Sequence, residues 1–120
     1  MIFDWTQGSL AEGLRCYRAG EFFAAHEHWE AVWLHAPEPE KTLLQALIQL
    51  AAAFHHFQRN NLIGTRSMLR GALKRLDPYP ASFQGVAVSS LSDEIRRCLC
   101  EVEAQGTSAR LACPSIQIGE

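Results

Sequence analysis

The chain has 120 residues, of which 48% are hydrophobic and 20% are charged, and its formal net charge is −2 at pH 7. These values predict one folded domain and exclude a disordered chain. The slightly acidic balance gives no general attraction to nucleic acid or to an anionic membrane, so neither is expected as a partner. The longest apolar stretch, residues 43–54, is interrupted by Gln45 and Gln49, which predicts a core helix rather than a membrane span.

The spacing of apolar residues, together with helix-breaking residues, divides the chain into five predicted helices. Gly20 ends the first helix, and Pro37 and Pro39 separate the second from the third. Asn61 is a good N-cap for the fourth helix, and residues 90–93 resemble a capping box that starts the fifth. The predicted helices span about residues 7–19, 21–35, 40–59, 61–76 and 90–104.

Short connections between these segments predict an all-α fold, a compact bundle of about five helices with helices 2 and 3 antiparallel. Gly64 costs helix propensity inside helix 4, and close contact between backbones is the expected compensation. Residues 82–88 are predicted to form an irregular or extended connection. We expect a single helical domain over residues 1–105 and a flexible C-terminal tail over residues 106–120, because the tail has no periodicity.

The four cysteines indicate neither a disulfide framework nor a metal site. Cys16 and Cys113 are isolated, and Cys98 and Cys100 would point about 200° apart on a helix. The first residues carry no charged segment followed by an apolar one, as a secretory signal would. The sequence therefore predicts reduced thiols and a cytoplasmic location.

The most informative feature is a polar stripe on helix 2. His26, Glu30 and Trp33 stand at positions i, i+4 and i+7, so they share one helix face that would otherwise be apolar. If helices 2 and 3 are antiparallel, His55 lies at the level of His26, and Gln49 can reach the same cluster. Buried polar groups are costly unless they are paired, so the stripe needs an internal partner or a ligand.

Two imidazoles and one carboxylate, from His26, His55 and Glu30, are a ligand set that can hold Zn²⁺ with an open coordination position. Another transition metal would also be compatible with these groups. The cluster has too few carboxylates for a ferritin-like di-iron centre, and the His-Glu-x-x-His motif of zinc proteases is absent. One divalent metal such as zinc is therefore the cofactor that the residues allow.

The run of residues 23–33 resembles the His-x-x-x-Glu-x-x-Trp signature of the DUF309 family, small helical proteins of bacteria and archaea. Residues 47–55, the Asn61-x-x-Gly64 pair and the pattern from Leu76 to Leu91 fit the same family, so the resemblance spans about residues 10–100. It implies an all-α fold without a settled function. It singles out as motif positions His26, Glu27, Glu30, Trp33, Gln49, His55, Asn61 and Gly64. Two departures from the family pattern are Thr65 and the pair His28-Trp29.

Three functions remain open at this stage. The first is a ligand-binding or metal-binding domain that uses His26, Glu30, Trp33, Gln49 and His55. The second is a metal-dependent hydrolase in which Glu27 acts as the general base, although Glu27 lies about 100° around the helix from His26.

The third is a structural or protein-interaction module, in which His26 and Glu30 only satisfy each other. Exposed aromatic residues such as Trp29 and Phe57 would then serve a homodimer or another protein partner. In that case Glu30→Ala would destabilise the fold by roughly 1–3 kcal/mol, because it leaves a buried donor unpaired.

Overall fold

The computed structural model describes residues 1–119 and consists mainly of five α-helices. The predicted all-α class is therefore confirmed. A two-stranded antiparallel sheet and one short 3₁₀ helix, Gly106–Ser108, complete the secondary structure. The helices and strands are α1 (Gly8–Arg18), α2 (Phe22–Trp33), α3 (Glu40–Gln58), α4 (Leu62–Leu76), β1 (Ser82–Phe83), β2 (Val86–Ala87) and α5 (Val88–Gln105).

The helix ends follow local chemistry at two of the predicted positions. Gly20 has φ +79° just after α1, a left-handed conformation that glycine adopts without strain. Asn61 caps α4, because its Oδ1 accepts a hydrogen bond of 3.0 Å from the backbone N–H of Gly64. The capping box predicted at residues 90–93 is wrong. The fifth helix already begins at Val88, directly after β2.

The hairpin between α4 and α5 explains this early start. Gln84 and Gly85 both have positive φ values, 50° and 82°, which is the backbone shape of a tight two-residue turn. The chain returns as β2 and enters α5 without a loop, and the N–H of Ser89 donates to the carbonyl of Ala81. The first turn of α5 is therefore held by the hairpin rather than by a side-chain cap.

Gly64 was predicted to allow close contact between helix backbones, but the structure places side chains next to it. A Cβ atom added there would lie 2.7 Å from Cγ of His56 and 2.9 Å from Nδ2 of Asn61. The space that this glycine leaves is filled by side chains at the corner between α3 and α4, not by a neighbouring backbone.

Trp29 lies at the centre of the core and is 0% exposed. Its Nε1 donates a hydrogen bond of 3.3 Å to the carbonyl of Leu10, and its ring centroid lies 5.9 Å from that of Tyr17. The prediction that Trp29 is an exposed aromatic residue is therefore wrong. The other large, fully buried side chains are Leu43, Leu44, Leu47, Leu50, Leu69, Leu76, Val86, Leu91, Ile95, Val102 and Ile116.

Helices α2 and α3 contact each other at both ends. Phe22, at the start of α2, packs against Phe54 near the end of α3, with ring centroids 5.4 Å apart. At the other end, Nζ of Lys41 on α3 lies 4.2 Å from the ring centroid of Trp33. The antiparallel orientation remains a prediction, and these two contacts support it.

The residues after 105 lie against the helices. Ile116 is 1% exposed, Oη of Tyr17 donates a hydrogen bond of 2.6 Å to the carbonyl of Pro114, and Ile118 pairs with Val86. These contacts count against the predicted flexible tail. The physical reason is an alternation of inward-facing residues at 114, 116 and 118, a period of two that is too short to stand out in the sequence.

Candidate functional site

A groove of about 270 Å³ lies between α2, α3 and α4. Its polar lining comes from α2 and α3, and its apolar lining comes mainly from α3 and α4. The eight residues that line it are His26, Glu30, Trp33, Gln45, Ile48, Gln49, Ala52 and Met68. Four of the five residues predicted to bind a ligand, all except His55, therefore line one groove.

His26 and Glu30 form the polar edge of the groove on α2. Nε2 of His26 lies 3.3 Å from Oε2 of Glu30, and the two side chains are 30% and 50% exposed. Nδ1 of His26 is buried and has no hydrogen-bond partner among residues 1–119. Nearly all buried polar atoms in folded proteins have a hydrogen-bond partner, so an unpartnered nitrogen is unusual and marks the groove as different from the core.

Gln49 is fixed by residues of α4. Its Oε1 accepts a hydrogen bond of 3.3 Å from Nη1 of Arg75. Gly71 leaves room for the amide, because a Cβ atom added there would lie 2.7 Å from Nε2 of Gln49. The amide is thus held at the groove by its hydrogen bond to Arg75, and the absence of a side chain at Gly71 gives it room.

The sequence pattern on α2 does not predict four of the groove residues, namely Gln45, Ile48, Ala52 and Met68. A signal for two of them is present, because residues 45, 49 and 52 stand at i, i+4 and i+7 on α3 and so share a face. No comparable signal identifies Met68, since its place depends on how α4 packs.

His55 lies outside the groove. The ring of Phe23 is adjacent to both histidines, with centroid distances of 5.4 Å to His55 and 6.0 Å to His26. Phe23 thus packs beside both imidazole rings. Within residues 1–119, no three His, Cys, Asp or Glu side chains are grouped so that they could hold a metal ion. The residues present therefore do not fit the predicted zinc set of His26, Glu30 and His55.

The groove offers no catalytic base or nucleophile beyond His26 and Glu30. Glu27, the candidate base, is exposed and does not line the groove. All four cysteines are free thiols, and none lines the groove. Burial raises the pKa of Cys98 and of Cys113 to about 11, so both thiols are neutral near pH 7.

A second cavity, of about 420 Å³, lies near the start of α3 and is lined largely by proline and aromatic side chains. Oη of Tyr79 donates a hydrogen bond to the carbonyl of Pro39 there, and burial raises the pKa of the Tyr79 phenol. None of the predicted site residues lines this cavity.

Comparison with known families assigns the segment that contains the groove. Residues 10–68 match the model of DUF309, described as a domain of unknown function. Residues 10–68 of the chain therefore belong to the DUF309 family. All eight groove residues lie in the part of the chain that matches DUF309.

One curated relative of this DUF309 chain is an uncharacterized protein of Aquifex aeolicus (strain VF5), 33% identical over 94 residues. The aligned part covers 78% of the present chain and 27% of that relative, so the chain spans about a quarter of the relative's length. Among residues 1–119, none of the helices combines the length and apolar character that a membrane span needs.

Proposed function

We propose that this DUF309 domain binds a small organic ligand in the groove between α2, α3 and α4. The observation that carries the proposal is the lining itself: polar side chains of α2 and α3 converge over apolar side chains in one concave site. This is the usual composition of small-molecule sites, which are mostly apolar with a few placed polar groups. The volume of about 270 Å³ lies just below the roughly 300–1,000 Å³ typical of such sites.

His26 gives a second argument. Its buried Nδ1 has no partner among residues 1–119, and such an atom costs about 1–3 kcal/mol of desolvation. A change of the imidazole rotamer on ligand binding would give this nitrogen a partner. The histidine is therefore the groove residue that we expect to move most when a ligand binds.

The metal-binding and hydrolase alternatives receive less support. Within residues 1–119 no three His, Cys, Asp or Glu side chains are grouped to hold a metal ion, and Glu27 is exposed and does not line the groove. The interaction alternative relied on exposed Trp29 and Phe57, but Trp29 is buried and Phe57 is half-buried. The free thiols support a reducing compartment, so a cytoplasmic location is part of the proposal.

The test is a fragment screen by NMR on ¹⁵N-labelled protein, read from the side-chain amides of Gln45 and Gln49 and from the Trp33 indole. Ala52→Leu fills the groove and is expected to abolish binding of any fragment that shifts these signals. Ala31→Leu is the matched control, because Ala31 is exposed on α2 and does not line the groove. Fragments that bind elsewhere, or that bind equally well to Ala52→Leu, would overturn the proposal.

A further inference from the structure

We infer that the ligand of this groove is an uncharged planar heterocycle of the nucleobase class, taken up as a free base or nucleoside; the inference rests on the ligand-binding function proposed above. The inference rests on which polar, charged and apolar side chains at the groove are free to contact a ligand.

The charged groups around the groove already have partners. The carboxylate of Glu30 is next to the His26 imidazole, at 3.3 Å. The ammonium group of Lys41 lies 4.2 Å from the ring centroid of Trp33, a cation–π contact. Nη1 of Arg75 donates to the Gln49 amide. None of the eight lining residues is a lysine or an arginine, so an anionic ligand would find no cationic side chain of fixed charge in the lining, and a cationic ligand would have to share Glu30 with His26.

The remaining polar groups are amides. Gln45 and Gln49 are one turn apart on the same face of α3, and both line the groove. A glutamine amide presents an acceptor oxygen and a donor nitrogen side by side, which is the complement of a base edge with an adjacent donor and acceptor. Because Oε1 of Gln49 already accepts from Arg75, Gln49 offers its Nε2 donor, and the adjacent donor and acceptor come from the Gln45 amide.

The apolar lining consists of side chains that pack well on a flat ring. Trp33 supplies an indole and Met68 a thioether, two groups that pack favourably on aromatic rings, while Ile48 and Ala52 supply aliphatic surface. The volume of about 270 Å³ suits one ring system with a small substituent better than a drug-sized molecule.

A base within a nucleic acid has the same edge and the same faces. The net charge of −2 disfavours a polyanion, so the inference is limited to the free heterocycle or nucleoside. A single-stranded tetranucleotide, compared with nucleosides at equal base concentration, separates the two sources.

The experiment is isothermal titration calorimetry of the untagged chain with adenosine, guanosine, cytidine and uridine, with indole as a planar ligand that has one donor and no acceptor edge. Gln45→Leu and Gln49→Leu keep the side-chain volume and remove the amide. Gln105→Leu, at an exposed position of α5, is the matched control. Circular dichroism and thermal unfolding show whether each variant is folded, and Gln45→Leu serves as the readout if Gln49→Leu is unfolded.

We expect at least one nucleoside to bind more tightly than indole. Each amide substitution should weaken it by about threefold to tenfold, the effect of losing one hydrogen bond, and Gln105→Leu should leave it unchanged. Equal binding to wild type and to both amide variants would overturn the inference, as would tenfold tighter binding of the tetranucleotide. If no nucleoside binds while another fragment binds in a manner sensitive to Ala52→Leu, the ligand class is wrong and the groove function stands. If no fragment is sensitive to Ala52→Leu, both fail.

Discussion

Helix α2 borders both the core and the groove, and its polar atoms are partnered differently in these two places. On the core side, Trp29 is fully buried and its Nε1 is hydrogen-bonded to the carbonyl of Leu10. On the groove side, Nδ1 of His26 has no partner within residues 1–119, and Trp33 is only half-buried. Both tryptophans belong to the same helix, one turn apart. The contrast separates residues that hold the fold together from residues that are free to serve a ligand.

The largest expected effect comes from truncating each tryptophan. Trp29→Ala should lower the free energy of unfolding by roughly 3–5 kcal/mol, because it removes a large core side chain and leaves a cavity. Trp33→Ala should cost about 1 kcal/mol, since its ring is half-buried and its contact with Lys41 is at the surface. Urea denaturation of both variants measures the difference. Equal losses would mean that Trp33 is also core, and the distinction between the two sides would fail.

The sequence predicts the groove side of α2 better than the core side. His26, Glu30 and Trp33 were identified because their spacing is a property of one helix, and Gln49 because it is near them along an adjacent helix. The burial of Trp29 could not be deduced in this way. It depends on α1, where Leu10 supplies the acceptor for its Nε1.

His55 does not line the groove, and the reason is similar. The number of residues in two antiparallel helices predicts which of their positions lie opposite each other. It does not predict which side chains pack beside those positions. Phe23 is adjacent to both His26 and His55 and is 54% exposed, a position that hydrophobicity alone would not assign to it. The helices and the Asn61 cap are local features and were predicted, whereas pairings between helices depend on packing.

Two glycines within helices, Gly13 beside the core and Gly71 beside the groove, allow the same comparison between core and groove. A Cβ atom at Gly13 would lie 2.2 Å from Nε1 of Trp29, which is fixed in the core. We expect Gly13→Ala to destabilise the fold by about 2 kcal/mol, since overpacking outweighs the gain in helix propensity. At Gly71 the nearest atom is the end of the flexible Gln49 side chain, so Gly71→Ala should change stability by less than about 1 kcal/mol.

Thermal unfolding of the two glycine variants tests this pair. Gly71→Ala should also displace the Gln49 amide and so weaken the binding of any ligand in the groove. Gly13→Ala should lower the stability of the fold without this effect on binding. Equal destabilisation by both variants would show that Gln49 is as rigidly packed as Trp29.

The core side should also respond to alkaline pH. Burial raises the pKa of Cys98 to about 11, and its Sγ donates to the carbonyl of Ala112 at 3.4 Å. An unfolded thiol titrates near 8.5, so the contribution of this group is fully present below about pH 8.5 and is lost as pH rises towards about 11. Denaturant unfolding from pH 8 to 11 should therefore show a smaller loss of stability in Cys98→Ala than in the wild type. Parallel curves would mean that the Cys98 thiol is as solvated in the folded state as in the unfolded one.

The smallest expected effect concerns the His26–Glu30 pair. If the pair were a buried network, Glu30→Ala would cost roughly 1–3 kcal/mol, but the two side chains are 30% and 50% exposed. Exposed side-chain pairs one turn apart on a helix typically contribute less than about 0.5 kcal/mol, so Glu30→Ala should be nearly neutral in urea denaturation. A loss above about 1 kcal/mol from Glu30→Ala would identify the pair as part of the fold. If the pair belongs to a binding site, its substitution should leave the free energy of unfolding nearly unchanged and abolish ligand binding. The pair then stabilises the bound ligand rather than the folded chain.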